Sequence, residues 1–292
     1  MLQIDRMEID DVGGNPVKLA QAVLNQVIDL KPPVPVREIA KALDIYEIRE
    51  ESLVELEGGL VTPEDKSEGA ILVNADRPET RKRYTIGHEL GHYLNLWHKP
   101  ASTEGFRCST RDLAATTFKE GSRAIQMEVE ANNFSSELLM PTHQFHTSLS
   151  RRAGIDIDHI LSVADEYFVS REAAARRYIE HSAEPSAVVF SYEGTIRYIK
   201  AHPKFPALDV WSKDPLPINS ISQRSSLPVG EVSDWDIIDG GVWLRDTKGQ
   251  RVCEQTLAQV NGYRLTLIAL EEPIEDDDEY GEEDWTPPTF HR

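Results

Sequence analysis

Five consecutive residues carry the strongest chemical signal in the chain: His88-Glu89-Leu90-Gly91-His92. On a helix, positions i and i+4 lie one turn apart on one face, so this spacing aims two imidazoles at one point with a carboxylate beside them. Zinc accepts neutral imidazole nitrogens and activates a water, leaving a carboxylate such as Glu89 to take that water's proton as it attacks an amide carbonyl. The spacing predicts a metallohydrolase centre holding one zinc per chain, with His88 and His92 as ligands and Glu89 as general base. The surrounding Ile86, Leu90, Leu94 and Leu96 support this, because two uncompensated imidazoles are costly to bury among apolar side chains. Gly87 and Gly91 each cost about 1 kcal/mol of helix propensity relative to Ala, which close approach of a neighbouring segment would offset.

A zinc hydrolase needs a third protein ligand and an open fourth position. His98 gives HExxHxxNxxH, near the metzincin spacing, with Asn95 where a turn-forming glycine usually stands. Asn tolerates the left-handed conformation such a turn requires. The other source is a glutamate from the helical pattern over 122–140. There Gln126, Glu130, Asn133 and Glu137 share one uniformly polar stripe, as a solvent face would. Glu128 and Asn132 instead interrupt a stripe that carries Ile125, Ser135 and Leu139. A carboxylate on a buried face must be paired or metal-bound, and Asn132 one turn on is placed to orient a ligand from behind. The stripes favour Glu128, with Glu130 and His98 as the alternatives.

Helical periodicity predicts Pro16–Leu30 and Val34–Leu43, and short strands follow at Ile45–Arg49, Gly59–Val61 and Ala70–Val73. Asp76 and Pro78 start the motif helix, whose pattern runs on towards Lys99-Pro100. A long polar segment, 100–121, separates it from the 122–140 helix, which Pro141 stops. A helix pair is expected at 156–167 and 171–181, with Ser170 as N-cap of the second. From Ser186 the period changes to two, predicting a hairpin across Glu193-Gly194 and later strands in VWLRD and YRLTLIAL. The expected class is α+β: a zincin-like metallopeptidase core (1–150), a helix-turn-helix-like segment (151–183) and a β-rich C-terminal domain of open role (184–270). An acidic, disordered tail closes the chain (271–292).

The 292 residues carry 31 basic and 50 acidic side chains, a net charge of -19, and the last 22 residues account for -9 of it. That balance disfavours nonspecific nucleic-acid or anionic-membrane binding, and no direct nucleic-acid contact is expected. Arg171, Arg176 and Arg177 on the helix pair are offset by Glu172 and Glu180, so these helices are expected to be scaffold. With mean hydropathy of -0.43 and no apolar run near 18 residues, no membrane span is expected. Cys108 and Cys253 form no CxxC and the start is acidic, which predicts a cytoplasmic location with reduced thiols. A Cys108 thiolate near the cleft would be able to cap a zinc.

RYTIGHELGHYL after a strand ending in VNAD, followed by EVEANNFSSELLMP and YFVSREAAARRYI, resembles the ImmA/IrrE family of metallopeptidases. The likeness covers roughly residues 15–200. Ser135-Ser136 stands where the family pattern has Ala-x, and the 100–121 segment is longer than usual. The resemblance implies a zinc endopeptidase with His88, His92 and Glu128 as ligands and Glu89 as general base. It further implies a protein substrate, a helix-turn-helix DNA-binding repressor, whose cleavage derepresses stress or mobile-element genes. The rival expectation is a regulatory or toxin-antitoxin component that acts by protein binding, with a structural or vestigial metal site.

Overall fold

In the computed structural model, residues 2–99, 105–109, 122–247 and 249–271 are described. Local capping chemistry sets most helix starts. Asn15 accepts a hydrogen bond from Lys18 N and Pro16 occupies the first turn of α2 (Pro16–Leu24), which follows the short α1 (Arg6–Asp10). α2 is shorter than its apolar pattern predicts, because the chain passes through turns after Leu24 and reaches positive φ at Asp29. α3 (Val36–Ala42) then leads into the first sheet, built from β1 (Ile45–Glu51), β2 (Leu56–Val61), β3 (Gly69–Asn74) and β4 (Phe106–Ser109). Its order is β1-β3-β2-β4, with β1 parallel to β3 and β2 antiparallel to both its neighbours.

Between β3 and β4 lies α4 (Glu79–Leu94), which carries the motif. It ends four residues earlier than the pattern suggests, since Asn95 is extended at φ -80° and ψ 102° rather than left-handed. Against it packs α5 (Arg123–Leu139), capped by Ser122 onto Ile125 N. The two motif glycines allow this contact: a Cβ on Gly87 would stand 2.6 Å from Ser135 Oγ, and one on Gly91 3.0 Å from Ala131 Cα. The expected close approach is therefore present, and Ser135 uses it to donate to the Tyr84 carbonyl at 2.9 Å.

α6 (Thr142–Leu149), too poor in apolar residues to stand out in the sequence, leads to the predicted pair α7 (Ile157–Tyr167) and α8 (Arg171–His181). Phe168 in the left-handed region ends α7, and Ser170 caps α8 onto Ala173 N as expected. Arg177 is buried and spent internally, donating to Glu137, to the Met140 carbonyl and to Thr142.

The second sheet is antiparallel, in the order β6-β5-β9-β8-β7. It comprises β5 (Ser186–Tyr192), β6 (Thr195–Ala201), β7 (Asp236–Asp239), β8 (Arg251–Ala258) and β9 (Tyr263–Leu270). One face presents Val188, Phe190, Leu257, Leu265 and Leu267 to the same buried cluster that contains Ile160, Ala174 and Tyr178 of the helix pair. The opposite face forms a separate core around Trp243, Val189, Ile196 and Ile268. VWLRD is not a strand: Gly240–Val242 is a 3-10 turn, and Trp243 plugs the second core with Nε1 donating to Glu254 at 2.8 Å. β8 escaped notice because Glu254, Gln255 and Thr256 are all buried on it, which hides the alternation. The long polar segment, apart from residues 105–109, and all but the first residue of the acidic tail lie outside the described residues.

Candidate metal centre

α4 sets the geometry of the centre. Its fixed rise places His88 and His92 on the face turned to α5, where both imidazoles and Glu89 are buried. Glu128, one turn into α5, completes a group whose ligand atoms lie within 4.8 Å of one another. His88 Nε2 is 3.1 Å from His92 Nε2 and 3.2 Å from Glu128 Oε2, and His92 Nε2 is 3.6 Å from Glu128 Oε1. Bond lengths of about 2.0–2.1 Å in a tetrahedral zinc site put ligand atoms roughly 3.3 Å apart, so these separations fit a zinc ion.

The proton assignment points the same way. Asn132 Oδ1 can only accept, so His88 Nδ1, 3.0 Å away, carries its proton there, and Tyr84 Oη donates to the same oxygen at 3.0 Å. On the other side, His98 Nε2 lies 2.8 Å from the Glu130 carboxylate and must donate to it. That leaves His98 Nδ1 as an acceptor for the Nδ1 proton of His92, 3.0 Å away. Both Nε2 atoms are then bare lone pairs facing each other and a carboxylate. Such a set is repulsive without a cation among its members.

Charge states agree. Burial pushes the His92 imidazole down to about 3, so it is neutral at physiological pH. Burial works to raise the Glu128 carboxyl, but positive charge at His88 and His92, which a proton supplies when no metal is bound, outweighs this and holds it down at about 2. Neutral imidazoles beside an ionised carboxylate are the states that zinc ligands require.

Glu128 and Asn132 stand where the stripe argument put them. Glu130 and His98 do not join the group; they meet each other behind His92. The stripe containing Glu130 is also not a solvent face throughout. Gln126 and Asn133 are exposed, but Glu130 is half-buried and Glu137 is buried against Arg177, Thr142 and Gln21. Helix periodicity shows which residues share a stripe; it cannot show that a later helix will supply a cation to cover it.

Two contributors went unnoticed in the sequence. Tyr84 sits four residues before His88 and so on the same face, a signal that spacing offered. Lys66, in a polar turn, offered none: its buried Nζ donates to the carbonyls of His92 (2.6 Å) and Asn95 (2.7 Å), closing the end of α4. Burial lowers its pKa to about 8. Above the helix, β4 places Phe106 in a stack on His92, with ring centroids 4.6 Å apart. Cys108, also buried, has its sulfur in a second group with His88 and Glu89.

A helix-borne pair of histidines, a carboxylate from the next helix and a small sheet above them define an α+β domain of the metallopeptidase type. Residues 40–178 match the peptidase M78 family, described as the IrrE N-terminal-like domain. No curated protein matches the chain. Among solved structures, one described as a Mycobacterium tuberculosis transcriptional regulator is similar at 11% identity with a TM-score of 0.56, covering 91% of this chain and 79% of that one. At that identity the likeness is one of fold.

Proposed function

We propose that the protein is a zinc-dependent endopeptidase that cuts a peptide bond in a specific protein substrate. The observation that carries the reading is the convergence of His88 Nε2, His92 Nε2 and Glu128, three acceptors left without a proton once the surrounding hydrogen bonds are assigned. His88, His92 and Glu128 would hold the metal, an arrangement of the gluzincin kind. A zinc ion there supplies Lewis acidity towards the scissile carbonyl and a water acidic enough to attack it near neutral pH. Glu89, buried beside His88, takes the proton of the attacking water and returns it to the departing amine. Asn132 and Tyr84 fix the His88 ring while this happens.

By family resemblance the substrate is a helix-turn-helix repressor, and its cleavage in the cytoplasm relieves repression of stress or mobile-element genes. In this reading residues 1–150 are the peptidase core, 151–183 its helical scaffold, and 184–270 a β-rich unit alongside it. Co-expression of the chain with candidate repressors encoded beside its gene tests the substrate: cleavage with the wild type and none with Glu89→Gln is expected. An intact repressor in both strains contradicts it.

One observation favours the second reading, a binding component with a closed or vestigial site: Cys108 stands in a group with His88 and Glu89. Cys108→Ser separates the two. A peptidase keeps or gains cleavage on losing the thiol, whereas a closed structural site loses metal.

A further inference from the structure

Behind His92 stand two further polar side chains, His98 and Glu130. We propose that His98 and Glu130 form a positioning relay for His92, a chain of two imidazoles ending on a carboxylate that sets how tightly the centre holds its metal. The proposal rests on the metal reading above and adds to it a role for two residues outside the ligand set.

Two facts about placement support it. His98 is 1% exposed, reached only because the chain bends at Asn95 and turns back, with His98 N bonded to the Asn95 carbonyl. Glu130 is held from three sides: its Oε2 accepts from His98 at 2.8 Å and from Asn95 Nδ2 at 3.3 Å, and its Oε1 accepts from Gln126 at 2.9 Å. The remaining Asn95 Nδ2 proton goes to the Gly14 carbonyl at 3.1 Å, tying the relay to the N-terminal helices. Lys66 clamps the carbonyls of His92 and Asn95, the backbone on which the relay is built.

The chemistry is directional. With Glu130 ionised, each link has one proton assignment: His98 Nε2–H to Glu130, then His92 Nδ1–H to His98 Nδ1. His92 is thereby fixed in the tautomer whose Nε2 lone pair faces Glu128, and negative charge at the far end makes that lone pair a stronger donor. His88 receives a different treatment, a neutral amide oxygen from Asn132. The two ligand histidines are thus tuned unequally, and His92 is the one whose donor strength depends on a remote carboxylate. A spacer role alone would be met at lower desolvation cost by apolar residues.

The test uses the full-length, zinc-loaded protein with 15N-labelled histidine. Glu130→Gln touches neither His92 nor the metal, yet it should shift the His92 Nδ1 proton resonance and weaken zinc binding about tenfold in chelator competition, within the 10–100-fold range for such outer partners. His98→Asn should remove the resonance's hydrogen-bond shift and weaken zinc further. If His98→Asn fails to fold, Glu130→Gln, a near-isosteric change at a half-buried position, decides alone. A Glu130→Gln protein with unchanged resonance and affinity overturns the relay, provided that Glu128→Ala in the same assay loses zinc. Wild-type protein that binds no zinc overturns the metal reading itself, and the relay with it.

Discussion

Asn132 Oδ1 and His98 Nδ1 each take the Nδ1 proton of one motif histidine, which is why both Nε2 atoms are left to face Glu128. Consequences follow for single side chains. On the proposed mechanism Glu89→Gln removes the proton acceptor without touching a ligand, so zinc content should stay at one per chain while the cleavage rate falls by about 10²–10⁴-fold. Retained cleavage would place the base elsewhere. Asn132→Ala should weaken zinc about 10–100-fold in chelator competition through loss of the His88 partner. The convergence of His88, His92 and Glu128 was legible in the sequence because helix spacing is a geometric constant. The place of His98 and Glu130 was not, because spacing does not encode which ring nitrogen faces which neighbour.

At the scale of elements, the centre depends on how closely α5 approaches α4. Gly91→Ala gains up to about 1 kcal/mol of helix propensity but puts a methyl 3.0 Å from Ala131 Cα, so α5 must shift and carry Glu128 with it. The expected net result is destabilisation of about 1–3 kcal/mol in denaturant unfolding, together with weaker zinc binding. A second device is the buried Glu137–Arg177 pair, which joins α5 to α8. Arg177→Ala should cost about 3–5 kcal/mol, since it leaves a buried carboxylate unpaired. Burial works to raise the Glu137 pKa, but Thr142 and Arg177 outweigh it and hold the group below its ordinary value. A depressed carboxylate contributes stability that is present above the unfolded-state pKa and lost as pH falls through the folded one. Acid unfolding of the wild type should therefore begin in the carboxylate range, and Glu137→Gln should flatten that slope; an unchanged slope would assign it to other groups. Periodicity found the longer helices and the hairpin but passed over α1 and α6, misjudged VWLRD and missed β8, where the buried Trp243–Glu254 contact overrides the local pattern.

For the whole molecule, the two sheets share a core. Val188, Phe190 and Leu265 of the second sheet lie in one buried cluster with the helix pair and with Leu90 and Ile86 of the motif helix. Ending the chain at residue 183 would expose that face, so the truncated protein should lose its cooperative thermal transition or aggregate; a sharp transition at the wild-type temperature would show an independent peptidase unit. The acidic final segment carries -9 of the net -19. Deleting residues 272–292 should leave zinc stoichiometry unchanged, while any salt-sensitive attraction of a basic partner declines. No helix among the described residues is long and apolar enough to cross a membrane.

The metal content of purified Glu128→Ala beside the wild type tests the central claim most directly. One zinc per chain in the wild type and none in the variant is predicted. A variant that keeps a full equivalent of zinc would contradict the His88–His92–Glu128 centre and return the third position to another side chain.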